Sequence, residues 1–221
     1  MTDEAVYEAV KQAVKEHMQI LAHCNGDAAS DQYIRVCQKV KEEGNDLAEI
    51  RPVLIHGQLL GVDQLETVKQ LPLIPSFFVA HVYHWGDTHI KNFGKERASQ
   101  ISPVASAIEK GICYTFHQDA PVIEPDMMET VWCAVSRKTK NGVILGEEEK
   151  ITVLDALKGI TIHAAYQYFE EKEKGSIRPG KHADFVILDQ NPMETLTEDI
   201  RRIQVLETIK DGKVIYRRKE L

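Results

Sequence analysis

The sequence predicts an α/β protein: a parallel sheet alternating with helices, followed by a small antiparallel β element. Three observations carry this. Strand-then-helix patterning occurs four times before Lys140, as a parallel sheet requires. Each of those four apolar runs ends on, or runs into, a polar side chain: His23, His56, His81 and the His117-Gln118-Asp119 step. Beyond Gly146 the pattern changes to one more helix and then short β runs, with Asp211-Gly212 as a hairpin turn.

The elements follow in order. Thr2 or Asp3 caps a first helix with Val6, Val10, Ala13 and Val14 at helical spacing. Met18 to Ala22 reads as a buried strand ending on His23, with Asn25-Gly26-Asp27 as the turn after it. Ser30 to Lys41 returns to helical period and Gly44 stops it. Arg51 to Ile55 is a second strand, ending on His56, and Val62 to Gln70 a second sheet-covering helix. Leu73 to Ala80 is a third apolar run, interrupted by Pro75 and ending on His81, with His84, Trp85 and Asp87 in a loop after it. Lys95 to Lys110 is a helix closed by Gly111, and Ile112 to Phe116 a fourth strand. Pro125 stands at a first helical position, with Met128, Val131, Trp132 and Val135 as the apolar face. Thr152 opens a further helix, and Glu170 to Lys174 is a solvated charged run.

Composition narrows the function classes. The 221 residues carry 27 Lys and Arg against 34 Asp and Glu, a formal charge of -7. That balance argues against a nucleic-acid binder, which needs a basic stripe. No apolar run approaches the length of a membrane span. The acidic, amphipathic N-terminus is unlike a secretory signal, so Cys24, Cys37, Cys113 and Cys133 read as free thiols of a cytoplasmic protein.

The strand ends are the candidate site, because parallel α/β sheets place their active sites along that edge. His23 and His56 end consecutive strands. Neighbouring strands lie about 4.8 Å apart, so two such imidazoles can share one metal ion. Asp119 is the candidate to take a proton from water or to bind the metal itself. His117 ranks below it, since one residue of a strand-end pair points away. His81 is placed to polarise a carbonyl and Trp85 to wall a pocket. His163 reads as a packed helix residue.

Several stretches resemble a known family. GSIRPGKHADFVILDQNP, from Gly175 to Pro192, is similar to the C-terminal signature of the amidohydrolase superfamily. HCNGDAASDQY, RPVLIHGQ, IPSFFVAHVYHWGD, FHQDAPV and LDALKGITIHAAY resemble, in that order, amidohydrolase family 3, metal-dependent hydrolases with a TIM-barrel fold that include N-substituted formamide deformylases. The resemblance implies strands five to eight of a (β/α)8 barrel over residues 1–174, and C-terminal β-sandwich strands over residues 175–221. It implies His23 and His56 as ligands of a divalent metal, zinc by family expectation. It implies Asp119 as the catalytic proton carrier, His81 as a substrate or transition-state contact, and a small amide-type molecule as substrate. The family's H-x-H metal motif has no counterpart in this sequence. A closed barrel takes about 250 residues, so residues 1–174 correspond to part of one. The expectation is therefore a C-terminal fragment with weak metal binding and little activity of its own. The alternative is a non-catalytic half-barrel that assembles with itself or with a missing N-terminal half.

Overall fold

A computed structural model describes residues 1–219. Its centre is a four-stranded parallel sheet in the order β1 (Leu21–Cys24), β2 (Val53–His56), β3 (Ile74–Phe77) and β4 (Thr115–Phe116). Val53, Leu54, Ile74 and Phe77 are all buried. Side chains of that size contribute about 1.5–3 kcal/mol each on full burial, which fixes the central strands. β1 is an edge strand with Leu21 exposed.

Two helices precede and follow β1. In α1 (Asp3–Lys15), the Thr2 hydroxyl accepts a hydrogen bond from the Ala5 amide, and Asp3 and Glu4 sit at the positive end of the helix. In α2 (Asp27–Glu42), Tyr33, Ile34, Val36, Cys37 and Val40 form the buried stripe. α3 (Leu65–Gln70) crosses between β2 and β3 and buries Leu65 and Val68.

The region after β3 departs from the sequence expectation. β3 stops at Phe77, and Phe78, Val79 and Ala80 form the buried turn into a helix, α4 (His81–Phe93). His81 is therefore the first residue of a helix and not the end of a strand, and the AHVYHWGD stretch is helical. Its β-branched and aromatic residues and Gly86 mask the helical period. Gly86 is needed for packing: a Cβ there would lie 2.7 Å from Cγ2 of Thr139. The expected helix from Lys95 to Lys110 is two, α5 (Lys95–Ser99) and α6 (Val104–Glu109), divided at Ser102-Pro103, where Ser102 has φ 50°.

α7 (Met127–Ser136) starts at Asp126, whose carboxylate accepts from the amides of Met128 and Glu129. It ends at Arg137, in the left-handed region with φ 49°. That side chain is almost wholly buried and donates to the carbonyls of Leu145, Ser102 and Ile101. The last helical segment is again two, α8 (Val153–Ile160) and α9 (Ile162–Gln167), with a break at Thr161.

The tail forms a separate antiparallel sheet, β5 (Phe185–Leu188), β6 (Val205–Lys210) and β7 (Lys213–Arg217), with Asp211 and Gly212 as the β6–β7 turn. It is one three-stranded layer, and Val186, Ile187, Ile215 and Tyr216 are exposed on it. The tail is nevertheless tied to the larger unit. Ile200 and Ile203 enter the main core, and the guanidinium of Arg201 lies 4.6 Å from the centre of the Trp132 ring on α7. Among the described residues, no helix is long and apolar enough to cross a membrane. All four cysteines are free.

Candidate functional site

The carboxyl ends of the parallel strands gather an imidazole cluster. Across the sheet, Cys24 is paired with His56 and His23 with Ile55. Residues at the same level share a face, so a regular pleat would turn His56 toward the helix layer together with buried Cys24. His56 instead adopts φ 74°, and its ring meets that of His23 edge-on with centroids 4.6 Å apart. Left-handed backbone is unfavourable for a residue with a Cβ, and here it accompanies the meeting of the two rings.

His56 is the hub. Its Nδ1 lies 3.2 Å from Nε2 of His117, and its ring centroid lies 5.8 Å from that of His81. His117 follows Phe116, which is in register with Phe77, so alternation sends His117 to the His23 side. There the Ser76 hydroxyl holds its Nδ1 at 3.0 Å. His117 thus faces the cluster, and the strand residue that points away is Phe116.

Phe78 forms the floor of the cluster, fully buried, with ring centroids 4.5 Å from His81 and 5.5 Å from His117. Trp85, one turn after His81 on α4, is half-buried at 5.6 Å from the His81 ring. His84 points elsewhere, 2.6 Å from a Glu129 carboxylate oxygen. Asp119, exposed and with φ 52°, lies just past His117. His163 packs edge-on against Tyr114, away from the cluster, in line with its reading as a packed residue.

The electrostatics favour the neutral forms of His56, His81 and His117. Burial first, and the neighbouring His56 second, push His81 down to about 3 and His117 down to about 4 from an ordinary 6.5. Burial and His23 lower His56, while the Asp119 carboxylate opposes the shift in both His56 and His117. Neutral imidazoles present a lone pair as well as a proton, the state in which histidine binds metals.

Sequence reasoning missed two further residues. Gln58, buried in the loop after His56, has its Nε2 2.7 Å from Nε2 of His89 on α4. Recognising α4 would have exposed this pair, because His81, Trp85 and His89 follow at four-residue steps along one helix face.

The model of the Amidohydrolase family matches residues 1–216. The N-substituted formamide deformylase of Arthrobacter pascens is 27% identical over 214 residues, which is 96% of this chain and 39% of that protein. The Protein LONG AFTER FAR-RED 3 of Arabidopsis thaliana is 30% identical over 220 residues, 98% of this chain and 37% of that protein. The crystal structure of an uncharacterized metal-dependent hydrolase from Pyrococcus horikoshii shares the fold, with a TM-score of 0.76 and 24% identity over 90% of this chain and 39% of that one. The chain thus spans about two fifths of the length of these proteins.

Proposed function

We propose a function from one premise: the chain belongs to the amidohydrolase family. On this reading it supplies part of the active site of a metal-dependent hydrolase that cleaves carbon–nitrogen bonds, amide or related, in small molecules. The observation that carries it is the pair of imidazoles on adjacent parallel strand ends, His23 and His56, brought to 4.6 Å.

The fit to a metal is partial. His23 and His56 are a donor pair of the type zinc prefers. Among the described residues, however, no group of three His, Cys, Asp or Glu side chains is placed to hold an ion. Catalytic zinc takes three protein donors and leaves one position open. On this reading a further donor would have to come from outside the described residues, and the chain spans 39% of the length of the Arthrobacter pascens deformylase.

A bound divalent ion supplies Lewis acidity toward the attacking water. The chain's own residues do the rest. The Asp119 carboxylate, exposed at the rim, takes the water's proton and returns it to the leaving nitrogen. His81, neutral at physiological pH, gives the substrate a hydrogen bond without adding charge to the site. Trp85 forms the apolar wall beside it.

Zinc analysis and an amide-hydrolysis assay of the full chain test this reading. Expected are weak zinc retention and little turnover, with Asp119→Asn removing whatever turnover exists. One tightly held zinc per chain with steady amide hydrolysis would overturn the partial-site reading. The alternative, a non-catalytic half-barrel that associates with itself, is favoured by the unpaired outer edge of β1 with Met18 and Leu21 exposed. Light scattering separates the two: a dimer or larger species supports association, and a monomer counts against it.

A further inference from the structure

His56 is held in an unfavourable backbone conformation, with φ 74°, and is followed by Gly57 at φ 52°. Something must over-determine this loop. Its backbone is anchored on both sides. The Leu59 amide donates to the carbonyl of Asn25, at 3.2 Å, and so ties the loop after β2 to the loop after β1. The Ser102 amide donates to the carbonyl of Gln58 at 2.9 Å, and the Ser102 carbonyl is itself held by Arg137.

The side-chain anchor is more specific. Gln58 Nε2 lies 2.7 Å from His89 Nε2. With the Gln58 amide in this orientation its nitrogen donates, His89 Nε2 accepts and the ring proton sits on Nδ1; the reversed amide would pair with an Nε2–H ring. In that tautomer the Nδ1–H is buried with no hydrogen-bond partner, a cost that the Gln58 contact and the packing of the ring must offset. The His89 ring is also fixed in plane, stacked on Phe93 with an interplanar angle of 4° and centroids 5.4 Å apart. Burial lowers its pKa and so favours the neutral ring that can accept.

We propose that His89 is a positioning residue for His56: as a neutral Nδ1–H tautomer it accepts a hydrogen bond from Gln58 and so braces the left-handed loop that presents the His56 imidazole to a metal. The metal side of this inference rests on the function proposed above. The brace itself does not, because it is a contact between two side chains of this chain.

Two measurements on the full chain test it. Long-range nitrogen–proton NMR of the isotope-labelled, metal-free protein reads the tautomer directly. His89 is expected to carry its proton on Nδ1. Gln58→Glu, whose carboxylate accepts hydrogen bonds, is expected to move the proton to Nε2. An Nε2–H ring in the wild type, or an unmoved proton in the variant, would overturn the brace.

Zinc titration then reads the consequence. His89→Phe and Gln58→Leu are expected to weaken zinc binding about tenfold, the scale on which residues supporting a ligand act. His89→Gln, whose Oε1 can accept in place of Nε2, is expected to stay close to wild type. If His89→Gln loses as much as His89→Phe, or if neither changes affinity, the positioning role is wrong. If the wild type binds no zinc at all, the metal reading fails, while the tautomer experiment still decides the brace.

Discussion

His23 is paired across the sheet with Ile55 and not with His56, yet the rings of His23 and His56 lie 4.6 Å apart. Strand alternation alone would place them on opposite faces of the sheet. The left-handed turn at His56 brings the second imidazole over to the first. The candidate donor pair therefore depends on one backbone reversal at the end of β2, and the residues that hold this reversal matter as much as the two histidines.

Gly57 is the first of them. It continues the left-handed path at φ 52°, and a Cβ there would lie 3.1 Å from the Phe77 ring. Gly57→Ala is expected to destabilise the fold by about 1–2 kcal/mol, read by urea unfolding. Unchanged stability would contradict the loop conformation on which the site depends.

Arg137 is the second, acting at a distance through Ser102. Its guanidinium is buried, and desolvation pushes it down to about 10, only partly offset by Glu149 and Glu148. Replacement by Met relieves that desolvation but orphans the buried carbonyls of Leu145 and Ile101, while the Ser102 carbonyl keeps the Val104 amide as a donor. Each orphaned group costs about 1–3 kcal/mol. Arg137→Met is therefore expected to lose roughly 3 kcal/mol net, measured by chemical denaturation. A neutral or stabilising effect would show that the carbonyls find other donors.

A pH-dependent contribution comes from the opposite end of β2. Arg51 makes a bidentate pair with Glu171, at 3.0 and 2.9 Å, and stacks on Tyr166 and Phe169. The hydrogen bonds from Arg51 hold the Glu171 carboxyl below its ordinary 4.5, against a smaller opposing effect of burial. A carboxylate with a depressed folded pKa adds stability above its unfolded pKa and loses it as pH falls through the folded value. The stability gap between wild type and Glu171→Gln should therefore be widest near neutrality and shrink as pH falls through and below the ordinary glutamate range. The pair is partly exposed, so the gap should be modest and smaller in high salt. A gap that grows toward acid would contradict the assignment.

Much of the candidate site was legible in the sequence because polar residues closing apolar runs are a chain-local signal. His23 and His56 stood out in this way; turn and cap chemistry likewise marked Asp211-Gly212 and narrowed the first cap to Thr2 or Asp3, of which the structure has Thr2. What was not legible depended on tertiary packing. The run from Leu73 to Ala80 is apolar throughout, so nothing local marks where β3 stops at Phe77 and the buried turn begins. α4 was hidden because Gly86 lowers helical propensity, and its reason is contact with Thr139 across the fold. His117 was undervalued because its direction follows from the register of Phe116 with Phe77. Gln58 and His89 were invisible until the loop and the helix were brought together.

The measurement closest to the central claim is a zinc titration of the full chain, comparing wild type with His23→Ala, His56→Ala and His84→Ala. Expected are weak binding by the wild type, at least tenfold weaker binding by each of the first two variants, roughly the loss of one direct ligand, and wild-type affinity for His84→Ala, whose ring is engaged with Glu129. Wild-type zinc affinity in both His23→Ala and His56→Ala would place the metal elsewhere and rule out the donor pair.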